Sequence, residues 1–242
     1  MAPENTVPAF LAALDQGADG VELDVRLTAD GVPVCLHDTG LGRTTDGRGP
    51  LRERTLAQVR ALDASLALGR NGANPFLGRG VRVPTLAEAL DALPPDALVD
   101  VEVKARGEGE RGAQAVAEVL AATLLGRADR RRVLVSSFSR RLVAAAVAVL
   151  PGIRVGLVTP TFVPLGRALR AAQALECRVL AAQASAYLAP KARLAAARGR
   201  ADGMLLAAWT VDDPDSARRL ADLGVEVLVS DVPGRLRPAL SG

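Results

Sequence analysis

A TIM-type α/β barrel is the fold this sequence predicts, and three observations predict it. From about residue 98 onward, short apolar strand-like runs alternate with helical runs rich in alanine, leucine and arginine. That alternation is the mark of a parallel sheet with crossover helices. The units are numerous enough to call for closure into a barrel rather than an open sheet. The length, 242 residues at 49% hydrophobic content, suits one large domain spanning 1–242 and lies near the usual size of an eight-stranded barrel.

In chain order, Thr6 is placed to cap a helix whose apolar residues Val7, Phe10, Leu11 and Leu14 recur at helical spacing, with Gly17 as its stop. Gly20–Val25 follows as a strand. The connection to the next strand, Val34–His37, is too short for a helix, and Asp30-Gly31 reads as a tight turn, so the link is a loop or a hairpin-like crossing. After a glycine-rich loop from Gly40 to Pro50, Thr55-Leu56-Ala57-Gln58 and Thr85-Leu86-Ala87-Glu88 carry the capping-box pattern and each opens a helix. Between them, residues 64–83 form a long irregular segment, of the kind that is usually functional in a compact domain. Leu98–Lys104 is the next strand. The remaining candidate strands are Val133–Phe138, Ile153–Val158, Arg178–Ala182, Met204–Val211 and Val225–Ser230. Helices are expected near 110–126, 139–149, 165–176, 189–198 and 213–223, the last opened by Asp213-Pro214 and closed by Gly224.

The chemistry concentrates at strand ends. Side chains alternate along a strand, so Glu22 and Asp24 share one face while Val21, Leu23 and Val25 share the other. Two neighbouring acids on an inward face repel and lose hydration, and both stay ionised only beside a positive charge, which a divalent cation would supply. The alternative for any such pair is an exposed face of solvated acids. A second apolar strand repeats the pattern with Glu102 and Lys104, and a third ends on His37, the only histidine. Three acids, a lysine and a histidine at successive strand ends make a metal-plus-acid/base constellation. Hard oxygen donors favour Mg2+ or Ca2+ over zinc.

Composition excludes other classes. The formal net charge is +3, the densest basic run, Arg130-Arg131-Arg132, reads as a solvated helix end, and aromatics make up 2%, so no nucleic-acid platform is expected. No apolar stretch reaches the ~18 residues of a membrane span. Cys35 and Cys177 lie in apolar runs, as small buried hydrophobes do, which fits a reducing, cytoplasmic compartment.

At Ala2-Pro3-Glu4-Asn5-Thr6, Glu22-Leu23-Asp24-Val25, Leu27-Thr28-Ala29-Asp30-Gly31, His37-Asp38, Arg43-Thr44-Thr45, Glu102-Val103-Lys104, Ser136-Ser137-Phe138, Trp209-Thr210-Val211 and Ser230-Asp231, the chain resembles the glycerophosphodiester phosphodiesterases, relatives of the phosphatidylinositol-specific phospholipases C. The resemblance runs in order through nearly the whole chain. It implies a phospholipase-C-like barrel that hydrolyses a glycerophosphodiester to glycerol 3-phosphate and an alcohol. Glu22, Asp24 and Glu102 would then hold one Mg2+ or Ca2+, His37 would be the acid/base group, Lys104 would touch the phosphate, and Trp209 would form an apolar wall beside the glycerol or the metal. It also implies that the segment at about 64–83 is an insertion over the barrel mouth that selects substrate.

One departure falls on chemistry. The family carries a His-Arg-Gly segment at the end of a first strand, ahead of Pro-Glu-Asn-Thr, whereas Met1 here stands directly before Ala2-Pro3. Either a longer natural chain supplies it, or half of the acid/base machinery and the first strand are missing. The second case describes a catalytically impaired or silent barrel that binds metal and a phosphodiester or a partner without turnover. Counting that strand makes nine candidates for eight places, so Ile153–Val158 or the pair around Asp30-Gly31 is expected to be a short edge or a loop.

Overall fold

The computed structural model describes residues 2–68, 74–104, 109–189 and 192–240. In order, α1 (Val7–Asp15) leads into β1 (Gly20–Leu27) and β2 (Pro33–Cys35), followed by α2 (Leu56–Arg60), α3 (Leu86–Ala92) and β3 (Leu98–Val103). The chain then alternates α4 (Glu110–Leu124), β4 (Val133–Ser137), α5 (Arg140–Val149), β5 (Arg154–Thr159), α6 (Leu165–Ala174) and β6 (Val179–Gln183). It ends with α7 (Ala184–Leu188), α8 (Ala192–Ala201), β7 (Leu205–Trp209), α9 (Pro214–Asp222), β8 (Val227–Leu228) and α10 (Pro233–Leu240).

The strands form one sheet in the order β2-β1-β3-β4-β5-β6-β7-β8. Only β2 runs antiparallel, pairing Val25 with Cys35 and Leu27 with Pro33 on β1; every other ladder is parallel. The sheet is that of a TIM-type α/β barrel, and α10, which follows β8, comes back against the residues between α1 and β1. Arg237 on α10 donates to Asp19 at 2.8 Å, ahead of β1, and a side-chain carbon at Gly234 would lie 3.3 Å from Gln16. Leu180 and Ala182 of β6 face the main core under the helices, whereas Ala181 joins Val158 and Ala207 in a smaller cluster on the opposite face. Among the described residues no helix is long and apolar enough to cross a membrane.

Both capping boxes form. Thr55 and Thr85 each accept the amide three residues on, and Gln58 and Glu88 reach back. Asp213 likewise accepts from the Ser216 amide, and Gly224 leaves α9 at φ +76°. The Asp30-Gly31 turn closes through the Gly31 amide on the Thr28 carbonyl.

Three expectations need correction, and one open alternative is resolved. Thr6 stands before α1 but caps nothing, since its hydroxyl donates to the Pro3 carbonyl at 2.6 Å. Of the two places offered for a short edge, the pair around Asp30-Gly31 holds it, since β2 is a three-residue edge strand, while β5 lies inside the sheet between β4 and β6; the other edge, β8, is also short at two residues. The arginine run is no solvated helix end. It makes a 3-10 turn before β4 whose third residue, Arg132, is buried and donates to the carbonyls of Leu90, Pro94 and Ala97 and to Asp129. Lastly, α7 and α10 add to the expected helices: one is a single short turn held by buried Tyr187, and the other carries Pro238 inside it. Of the segment 64–83, Ala64–Leu68 is a 3-10 turn, and Ala64, Val81 and Val83 join Leu36, Leu41, Leu51 and Val59 in a satellite core. Gly69 and Gly72 lie outside the described residues.

Candidate active site

The parallel register of β1 and β3 assembles the site. Glu22 lies opposite Asp100, and Asp24 opposite Glu102. Because side chains alternate, Val21, Leu23, Val25, Val99, Val101 and Val103 all turn into the core, and the acids are thrown together on the other face. One carboxylate oxygen from each of Glu22, Asp24 and Glu102 lies within 4.8 Å of the others, an all-oxygen donor set of the size a divalent cation takes.

Lys104 reaches into this cluster, 2.9 Å from Asp24 and in contact with Glu102. Burial works against its charge, yet the two carboxylates outweigh it and raise its pKa, so it stays an ammonium. One ammonium does not compensate the acids. Desolvation, then Asp24, Asp100 and Glu102, push Glu22 well above the usual carboxylate range, and desolvation also raises Glu102. The cluster is short of positive charge, and a divalent cation fits that deficit.

Three side chains outside the expected set complete the arrangement. Asp100 accepts from Ser136 at 2.7 Å, and burial pushes its pKa up to about 7. Asn5 clasps Asp24 from both ends: its amide nitrogen donates to Oδ2 at 2.7 Å and its oxygen accepts the Asp24 backbone N–H at 2.8 Å. The left-handed φ of +54° at Asn5 is one that asparagine tolerates better than most residues. Arg26, two residues past Asp24 on the same face, donates to the carbonyls of His37 and Lys104, both at 2.8 Å, and so ties together the loops after β2 and β3. Period-two alternation marks Asp100 and Arg26 in the sequence, since each continues the Glu102 or Asp24 face by one step. Asn5 carries no such signal, because its contact spans 19 residues.

His37 sits at the rim, two residues beyond β2, with its side chain 51% exposed. Its Nδ1 lies 2.7 Å from Asp38, whose other oxygen accepts from Arg43 Nε at 2.5 Å, while the Arg43 fork grips Glu4 at 2.6 and 2.7 Å. Arg43, then His37, hold the Asp38 carboxyl down to about 2, so it is an acceptor at neutral pH and Nδ1 is the ring nitrogen that carries the proton. His37 is near enough to the acids for its positive form to favour the Glu102 carboxylate.

Trp209 ends β7 and meets Phe138 edge-on at 5.5 Å and 85°, and Phe138 lies 5.7 Å beneath the Lys104 ammonium. The indole N–H is buried without an acceptor among the described residues. Of the residues singled out in the sequence, Glu22, Asp24, Glu102 and Lys104 touch or nearly touch. Trp209 joins them through Phe138, and His37 stands apart on the rim.

Comparison with known proteins bears on what this mouth does. A family model described as the glycerophosphoryl diester phosphodiesterase family matches residues 1–235. A glycerophosphodiester phosphodiesterase of Caldanaerobacter subterraneus is 31% identical over 97% of this chain and 90% of its own length. Among solved structures, an Oleispira antarctica phosphodiesterase in complex with the product sn-glycerol-3-phosphate is 30% identical, covers 100% of this chain and 92% of its own, and superposes with a TM-score of 0.81. A glycerophosphodiester phosphodiesterase from Agrobacterium tumefaciens is 26% identical with a TM-score of 0.76, covering 98% and 94%.

Proposed function

The chain belongs to the glycerophosphoryl diester phosphodiesterase family, and from that membership we propose how its mouth performs the family reaction. It is a phosphodiesterase that hydrolyses a glycerophosphodiester to glycerol 3-phosphate and an alcohol. The observation that carries the site assignment is the under-compensated carboxylate triad, three oxygens within 4.8 Å on one face of two adjacent parallel strands.

Glu22, Asp24 and Glu102 hold one divalent cation, and their hard oxygens suit Mg2+ or Ca2+. When bound, such an ion polarises a phosphate oxygen and offsets the charge that builds in the transition state. Asn5 fixes one oxygen of Asp24 and leaves the other toward the cluster, as a supporting hydrogen bond does for a metal ligand. Lys104 meets the phosphate as a compact point charge, and the cation–π contact with Phe138 helps to hold it there. His37, with Nδ1 engaged by Asp38, uses its free nitrogen to give a proton to the leaving alkoxide or take one from water. Trp209, packed edge-on against Phe138, supplies the apolar wall beside the glycerol. The segment 64–83, whose Ala64, Val81 and Val83 join the satellite core, is the element that selects the alcohol group. A cytoplasmic setting suits the two buried, unpaired thiols.

The test is release of glycerol 3-phosphate from glycerophosphocholine with Mg2+, with Ca2+ and with chelator. Turnover with either ion and none with chelator is expected. Metal binding by calorimetry without turnover in any condition would leave a silent barrel instead.

A further inference from the structure

At the opposite end of the sheet the charge changes sign. Arg131 precedes β4, Arg154 opens β5, Arg178 precedes β6, and Arg200 lies near the end of α8, which leads into β7; all four are exposed. Arg154, Arg178 and Arg200 line a cleft of about 550 Å³ with Glu226, and Arg131, Arg154 and Arg178 line an adjoining one of about 440 Å³ with Glu176. The two clefts share Arg154 and Arg178. Among the described residues, Arg131, Arg154 and Arg178 form no ion pair. Arg200 donates to the Leu223 carbonyl at 3.3 Å, and Glu226 accepts the Leu206 amide at 3.2 Å, which ties that carboxylate to the sheet edge.

We propose that this arc of arginines is a second anion site, taking a small polyanion with two or more linked phosphate groups. Guanidinium forks match phosphate oxygens two at a time, so unpaired arginines facing one cleft are suited to phosphate. Neighbouring strands lie ~4.8 Å apart, so β4 to β7 spread the charges over roughly 14 Å, more than a single phosphate covers. The surface is a shallow, open one that a small anion can reach, and no aromatic residue lines either cleft to stack a base. Strands of five or six residues separate this end from the mouth by roughly 17–20 Å, so the site stands independently of the phosphodiesterase reading.

Titration calorimetry on the metal-free protein in chelator tests it, because the acidic mouth then repels anions. Inorganic tripolyphosphate is the probe, with orthophosphate, ATP and a single-stranded oligonucleotide as comparators. The expected result is one saturable tripolyphosphate site, with orthophosphate weaker by about tenfold or more. Arg154→Glu/Arg178→Glu should weaken binding about 100-fold or more, at roughly tenfold for each guanidinium–phosphate hydrogen bond removed. Arg140→Glu/Arg141→Glu, the same change of charge on exposed positions of α5, should leave binding within about twofold, the range of surface changes. ATP binding as tightly as tripolyphosphate would support recognition through the phosphates alone. No saturable binding below millimolar tripolyphosphate would overturn the proposal. So would equal losses in both double variants, or tighter binding of the oligonucleotide. Unchanged glycerophosphocholine turnover in Arg154→Glu/Arg178→Glu shows that the variant is folded.

Discussion

The carboxyl ends of β1 and β3 and the amino end of β4 both put charge where water is scarce, and they handle its cost differently. At the amino end, Arg132 is buried and its guanidinium meets three backbone carbonyls and Asp129, so the charge is provided with partners from its own surroundings. From the middle of β1 and β3 toward their carboxyl ends, four acids face one ammonium and three of them are raised above their ordinary pKa. A satisfied buried charge reads as structure, and an uncompensated cluster reads as a site waiting for a ligand. The two ends should therefore separate cleanly under mutation: the mouth should lose activity and keep its fold, and the base should do the reverse.

The largest effect should come from removing positive charge at the mouth. Chelation is expected to reduce glycerol 3-phosphate release to background and Mg2+ or Ca2+ to restore it. Asp24→Asn, which keeps the shape but weakens the donor set, should cost on the order of 10³-fold in kcat, the scale of several kcal/mol of transition-state stabilisation. Thermal melting in chelator should show Asp24→Asn no less stable than the parent. A variant that melts much lower while retaining turnover would break the distinction between the two ends. Next, His37→Ala should lower kcat by ~10²–10⁴-fold, the range for a lost acid/base group, with little effect on stability because the ring is half exposed.

These expectations rest on features that are readable in the sequence to different degrees. The Glu22-Leu23-Asp24 and Glu102-Val103-Lys104 runs announce themselves because a strand has a period of two, and register then needs only one parallel ladder to bring them together. Both capping boxes are legible for the same reason, being contacts over three residues. Legibility falls with separation along the chain. Arg43 reaches Glu4 across 39 residues, and Arg132 reaches Leu90 across 42. Arginine is usually solvated, so a burial that depends on three distant carbonyls leaves no local trace. Short helices fail differently: five residues of α7 are too few for a helical period to show, and Pro238 obscures the one in α10.

A smaller effect, on stability alone, tests the base. Arg132→Ala strands three carbonyls and leaves Asp129 with Arg127 as its remaining guanidinium, and should cost about 3 kcal/mol. In denaturant titration that loss should be the same with and without Mg2+, and kcat per folded molecule should be unchanged. Dependence of the loss on metal would mean that the two ends are coupled through the sheet.

The smallest effect lies at the bottom of the mouth, where burial raises Asp100 from 3.8 to about 7. The folded chain then keeps a proton that the unfolded chain has already released. For an acid raised in this way, the linkage makes stability fall as pH climbs from about 4 to about 7 and level off above that. Asp100→Asn removes the titration and can still accept the Ser136 hydrogen bond. In chelator, the variant should match the parent near pH 4 and gain on it steadily to about pH 7. Above that the lead should hold, read as a higher Tm of the variant. Mg2+ should narrow the lead, because a bound cation offsets the same negative charge that the substitution deletes. A lead that does not grow with pH would show that Asp100 is charged throughout and that Lys104 compensates the mouth more fully than its contacts with Asp24 and Glu102 indicate. A lead that grows with pH but ignores Mg2+ would place the bound ion too far from Asp100 to share its field, and would confine the donor set to Glu22, Asp24 and Glu102.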